Sequence, residues 1–198
     1  MPRCGRCAST PPYSLRTQEA VAAKQAIAKA AVEHIHDGET IVLDSGTTAL
    51  EVARLLHDRV LTVMPLSLHV AQELADAPRI RLLVPGGEAR KGEQALVGPL
   101  TVASLRALRF DVAVLSPCAF SLDAGLTAFD LGDAEVKQEA LAVATRSMVL
   151  ADGAKWDRAA LAYVCPADRA DLIITDDSAP EDQRTVLSQR GVLVEVAS

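Results

Sequence analysis

The chain alternates between two hydrophobic periods. Short aliphatic runs stand at Thr40–Leu43, Leu61–Met64, Ile80–Val84, Val112–Leu115, Met148–Leu150, Leu172–Thr175 and Leu193–Val196, and most are separated by enough sequence for a crossover helix. Their near-continuous Val, Ile and Leu content, without apolar–polar alternation, means that both faces of the sheet they build are covered. The pattern therefore predicts an α/β fold, a mainly parallel sheet with helices on both faces. Leu161–Val164 reads as a further edge strand. From Glu19 to Ile35, Ala20, Ala23, Ile27, Ala31 and Ile35 fall on one stripe, which predicts a helix with one buried face, stopped at His36-Asp37-Gly38. The connection from Pro85 to Pro99 is the one unusual loop, and long ordered loops tend to carry function.

Before Tyr13 the sequence is small, basic and punctuated by proline, with no apolar period. Residues 1–17 are expected to be a flexible tail or linker remnant, and residues 18–198 one folded domain, a length that buries a core without staples. Hydrophobic residues make up 49% of the sequence, yet no run approaches a membrane span and no signal-peptide pattern opens the chain, so a cytoplasmic protein is expected. Four cysteines in a chain of this size are no disulfide framework. Cys4 and Cys7 have the spacing of half a zinc knuckle but no second pair follows, so no metal is expected, and no cofactor signature is present. A net charge of −6 argues against a nucleic-acid surface on the body of the domain, because phosphate neutralisation needs Lys and Arg.

In open α/β sheets ligands sit beyond the carboxyl ends of the strands. There the first strand runs into Asp44-Ser45-Gly46-Thr47-Thr48, ahead of a helical period over Ala49–Leu56. Free N–H groups, the helix dipole and three hydroxyls converge on one point, and Gly46 lets the backbone come close, an arrangement suited to a phosphate. An ordinary Ser/Thr helix cap would use the same residues. Other strand ends fall at Pro65-Leu66-Ser67, Gly86-Gly87, Ser116-Pro117-Cys118 and Asp152-Gly153-Ala154-Lys155, where Lys155 either supplies a point charge to an anion or is a solvated surface lysine. Asp130 follows an extended segment after the turn Asp123-Ala124-Gly125, and the next helix carries Glu135 and Lys137. Asp130 and Glu135 are candidates to accept bonds from sugar hydroxyls or to act as acid and base, while Glu135 in a first helical turn also simply suits the dipole. Cys118 has no nearby histidine, and GxSxG, P-loop and GxGxxG motifs are absent.

Five segments in order, LDSGTTALEVARLL (Leu43–Leu56), VMPLSLHVAQELA (Val63–Ala75), VPGGEARKGEQALVGPL (Val84–Leu100), GLTAFDLGDAEVKQEAL (Gly125–Leu141) and LADGAKWDRAALAYV (Leu150–Val164), resemble the C-terminal effector domain of DeoR-family bacterial transcriptional regulators. The resemblance runs from Gln18 to about Asp176. It implies a sensor domain similar in fold to ribose-5-phosphate isomerase and the CoA transferases, in which a sugar phosphate or related metabolite relieves repression. The family's phosphate turn falls on Asp44, Ser45, Gly46, Thr47 and Thr48, its glycine-rich loop on Gly86, Gly87 and Arg90, its acidic helix start on Glu135 with Lys137, and its strand-end lysine on Lys155. Ser67 belongs to the same pocket wall, where the family's usual preceding asparagine is Leu66. After the fourth core strand the isomerase relatives place acidic residues, and here stands Ser116-Pro117-Cys118-Ala119-Phe120, which removes the base for proton abstraction beside a carbonyl.

The resemblance thus implies a non-enzymatic repressor domain that binds a phosphorylated metabolite and self-associates as a homo-oligomer. DNA is reached only through a helix-turn-helix, and residues 1–17 hold none, reading instead as the end of a wing and linker. A sugar-phosphate isomerase using Glu135 as base and Lys155 as electrophilic stabiliser is the competing expectation.

Overall fold

The computed structural model describes residues 12–198. Seven parallel strands form the central sheet: β1 (Thr40–Leu43), β2 (Leu61–Pro65), β3 (Ile80–Leu82), β6 (Phe110–Leu115), β9 (Ala144–Leu150), β11 (Leu172–Thr175) and β12 (Leu193–Val196). Their spatial order is β12-β11-β9-β6-β1-β2-β3. The chain winds outward from β1 through β2 to β3, then returns to the other side of β1 and winds outward again from β6. Strand order therefore reverses between β1 and β6, the place where an open α/β sheet leaves a crevice at its carboxyl edge.

Alternate residues of the inner strands feed two cores, as buried parallel strands require. Ile41, Leu43, Val63, Val112, Val114, Met148 and Ile174 pack on one side against α2 (Val21–Glu33), α3 (Thr47–Leu55) and α4 (Leu68–Leu74). Val42, Met64, Leu115, Val149 and Ile173 pack on the other against α5 (Pro99–Arg106), α6 (Leu131–Val143) and α7 (Glu181–Gln189). All seven aliphatic runs become strands of this sheet. Ile80–Val84 is trimmed to Leu82, and the run at Met148 extends back to Ala144, where it pairs with Phe110.

Four local expectations change. Leu161–Val164 gives β10 (Ala162–Cys165), an edge strand, but of a separate antiparallel sheet with β8 (Gly125–Ala128) and β7 (Ala119–Ser121). The unusual loop contains a short hairpin of β4 (Glu88–Ala89) and β5 (Leu96–Val97). Residues 13–16 of the expected tail form a helical turn, α1 (Tyr13–Arg16), with Tyr13 buried and stacked on His69 at 4.3 Å. The remainder of that tail, including Cys4 and Cys7, lies outside the described residues.

The fourth change is in α2. Ala20 does not belong to its buried stripe but precedes the helix at φ 49°, and the inner face carries Lys24, Ile27, Ala28 and Ala31. The helix also closes sooner than expected. Its last turn is finished at His34, and Gly38, at φ +92°, serves the following turn by donating its N–H to the Val60 carbonyl at 2.7 Å. Among the described residues no helix is long and apolar enough to cross a membrane.

Candidate functional site

Where the strand order reverses, the ends of β1 and β6 are locked together by one carboxylate. Asp44, 1% exposed, accepts the Ser45 N–H at Oδ1 and the Ser116 N–H at Oδ2, both at 2.7 Å. Its Oδ1 also meets Lys137 Nζ at 2.7 Å, and that ammonium reaches Asp133 Oδ1 at 2.8 Å. Asp133 and Lys137 stand four residues apart on α6, so the helix itself presents them side by side. Burial opposes the charge on Lys137, but the Asp133 and Asp44 carboxylates outweigh it and raise its pKa above the usual lysine value. Burial likewise raises the Asp133 carboxyl, with Lys137 opposing. The charges of the triad answer one another, and it holds the floor of the cleft in shape.

Over this floor lies a cavity of about 190 Å³, lined among others by Ser45, Gly46, Thr47, Ser116, Lys24 and Lys155. α3 begins here at Gly46, with no side chain capping it among the described residues. The cap alternative for the Asp44–Thr48 hydroxyls is therefore not what the helix uses, and its positive end begins at residues that line the cavity, with no side chain on its first N–H groups. Gly46 is required by closeness rather than by dihedral angle: at φ −71° any residue fits, but an added Cβ would stand 2.9 Å from both Cβ and Oγ of Ser116.

Two further cations face the same space. Lys155 lies on a single 3-10 turn (Gly153–Lys155) after β9, donates to Ser116 Oγ at 2.9 Å and is 3.8 Å from Asp152. Trp156 fastens this turn by packing edge-on against Phe120 at 4.7 Å and donating to the Ala151 carbonyl. Lys24 reaches in from α2 and donates to the carbonyls of Arg16 and of Glu19, the latter at 2.7 Å. Burial lowers both lysine pKa values, and in Lys24 the Lys155 charge adds to it. Cys118 borders the cavity with its thiol pushed up by burial, which leaves it poorly suited as a nucleophile.

The structure thus brings Asp44, Ser45, Gly46, Thr47, Lys137 and Lys155 together. It does not bring in the others. Thr48 is fully buried, and its Oγ1 has no hydrogen-bond partner among the described residues. Ser67 caps α4, accepting the Val70 N–H at 3.2 Å, and Leu66 beside it packs in the core. Gly86 and Gly87 hold the β4–β5 hairpin to α5. Thr101 Oγ1 donates to the Gly86 carbonyl at 2.7 Å, and an added Cβ on Gly87 would stand 2.0 Å from that oxygen. Arg90 is paired with Glu93 at 2.7 Å, and Asp130 caps α6 through the Asp133 N–H. Glu135, the proposed base of the isomerase alternative, stands between Asp133 and Lys137 on α6 but on its opposite, solvent-exposed side. The residues overlooked are Lys24, Asp133 and Arg16, while Ser116, singled out only as part of a strand end, joins the cleft through Asp44 and Lys155. An i,i+4 Asp–Lys pair at 133 and 137, and a lysine on an otherwise apolar helix face at 24, were the signals for two of them.

Comparison with known proteins adds the family. The DeoR C-terminal sensor domain matches residues 19–177. The chain is 34% identical over 174 residues to a putative aga operon transcriptional repressor of Escherichia coli O157:H7, covering 87% of this chain and 65% of that protein. With the HTH-type transcriptional repressor CsqR of Escherichia coli K12 it shares 34% over 158 residues, 79% of this chain and 60% of that protein. It therefore spans somewhat less than two thirds of these two relatives. Ribose 5-phosphate isomerase A of Methanocaldococcus jannaschii superposes with a TM-score of 0.50 at 21% identity, covering 67% of this chain and 53% of that one. The eIF2B-β2-δ2 complex of C. thermophilum gives 0.56 at 14%, covering 79% of this chain and 54% of the other. At such identities these structures establish the fold alone, whereas the matched sequence establishes kinship: the chain belongs to the DeoR family, and residues 19–177 are its C-terminal sensor domain.

Proposed function

We propose that this domain senses a phosphorylated sugar or a related phosphorylated metabolite in the cleft between β1 and β6, and that the whole protein is a cytoplasmic, homo-oligomeric transcriptional repressor. DNA binding would belong to a helix-turn-helix segment outside residues 19–177. The observation that carries the ligand reading is the uncapped start of α3 at Ser45-Gly46-Thr47, facing a cavity that also receives Lys155 and Lys24. Backbone donors at a positive helix end, joined by two ammonium groups short of carboxylate partners, select a compact dianion over a neutral sugar.

Sensing rather than turnover is favoured by what the carboxylates do. Asp44 and Asp133 are held by Lys137 and by backbone N–H groups, Asp152 is paired with Lys155 at 3.8 Å, and Glu135, the base of the isomerase alternative, is turned to solvent. Repressor relatives point the same way. A thermal-shift series with pentose, hexose and amino-sugar phosphates, against the free sugars and inorganic phosphate, tests the reading. Stabilisation by a phosphorylated compound, lost in Ser45→Ala with Thr47→Ala, is expected. Equal response to free sugar, or conversion of the compound at an enzymatic rate, would reject it.

A further inference from the structure

The first described segment of the chain is a wall of the cavity. Residues 12–20 form a strap in which Arg16, Glu19 and Ala20 line the space beside Lys24. The strap is fastened at three points. Tyr13 stacks on His69, Arg16 Nη2 approaches Glu93 Oε1 to 2.7 Å, and Lys24 donates to two strap carbonyls. Its junction with α2 is Ala20 at φ 49°, a left-handed conformation that costs an alanine energy and that surrounding contacts must hold. Arg16 Nε and Nη2 are buried without a hydrogen-bond acceptor among the described residues, since the approach to Glu93 is an ion pair of bent geometry.

Resting on the anion reading of the cavity, we propose that Lys24 and Arg16 contact the phosphorylated ligand and thereby clamp the strap, so that occupancy of the cleft is converted into order of residues 12–20. An ammonium carries three donors, and two of Lys24's go to the strap carbonyls, leaving the third for an anion. Burial and the nearby Lys155 disfavour the charge on Lys24. An anion between them offsets both effects and holds the ammonium, and with it the two strap carbonyls that it binds, in one position. Arg16 adds from the strap itself a guanidinium whose buried Nε–H has no partner among the described residues. Linkage makes the effect reciprocal: whatever loosens the strap weakens the anion.

Hydrogen exchange of the whole chain reads this directly, since the N–H groups of Thr17, Gln18 and Glu19 donate to carbonyls of Tyr13 and Leu15. Inorganic phosphate, or the sugar phosphate that stabilises the chain, slows exchange over residues 15–20 by roughly fivefold or more, the lower end of usual couplings between sites. Lys24→Met removes that slowing. Tyr13→Ala, which lies outside the cavity, weakens phosphate binding by a comparable factor with circular dichroism unchanged. Phosphate that binds without slowing exchange, or undiminished affinity in Tyr13→Ala, overturns the clamp and leaves the anion site standing. If no phosphorylated compound binds at all, the site and the clamp fall together.

Discussion

Three lysines face one cavity, and they are built for opposite tasks. Lys137, 2% exposed, lies between two carboxylates at 2.7 and 2.8 Å, its charge answered within the protein. Lys24 and Lys155 have carbonyls, a hydroxyl and one carboxylate at 3.8 Å, and their pKa values move down where that of Lys137 moves up. The difference teaches that charge near a cleft is no guide to ligand contact until its partners are counted. The floor is a triad whose ammonium charge two carboxylates answer at hydrogen-bond distance, and the rim holds cations whose charge no carboxylate answers at that distance.

The comparison breaks most violently at the floor. Lys137→Met strands Asp44 and Asp133 as buried carboxylates, and a loss of about 3–5 kcal/mol in unfolding free energy is expected from denaturant titration. On the rim, Lys155→Met should leave the unfolding free energy within about 1 kcal/mol of the parent. It should nevertheless lower affinity for a stabilising sugar phosphate by roughly 10- to 100-fold in calorimetric titration, the worth of one hydrogen bond to a charged group. If the two lysine variants behave alike, the distinction between floor and rim is wrong.

Gly46→Ala tests the closeness of the two strand ends. The new methyl group meets Ser116 at 2.9 Å, and a cost of about 1–3 kcal/mol is expected from overpacking, together with weaker anion binding as α3 tilts away from β6.

The smallest effect lies in pH. The folded chain releases the Lys24 and Lys155 protons before the unfolded chain does. Each ammonium therefore costs stability at neutral pH, a cost that fades as pH rises from the folded pKa to the ordinary value of 10.5. Lys137 has the opposite sign, its stabilisation full below the ordinary value of 10.5 and lost as the pH rises from there through its raised pKa. Anion affinity should follow the rim, falling on the alkaline side before pH 10.5, and on the acid side below about pH 6 as a phosphate monoester takes up its second proton. Calorimetric titration across this range checks both limbs. An alkaline limb no earlier than 10.5 would remove Lys24 and Lys155 from the binding reading.

The sheet was legible because buried parallel strands write their burial as unbroken Val, Ile and Leu, and both cores follow from it. The turn Asp44–Thr48 was legible because it directly follows such a run. What stayed hidden depends on contacts between distant segments. Asp44 and Ser116 meet only because β1 and β6 are neighbours, and nothing local shows that the glycines at 86 and 87 serve a hairpin against Thr101. Glu135 and Asp133 are two residues apart, so their side chains diverge by about 200° around the helix axis, and periodicity alone did not say which one turns inward. Lys24 was passed over because its neighbours made the stripe look purely apolar.

The most direct test is a crystal structure of the chain with a sugar phosphate that stabilises it. The phosphorus is predicted at the start of α3, within hydrogen-bond reach of the Gly46 and Thr47 N–H groups and of Lys155, with Lys24 turned toward it. A phosphate seated instead at Gly86, Gly87 and Arg90 would contradict the account, placing the anion on the hairpin loop and leaving the cleft between β1 and β6 without its ligand.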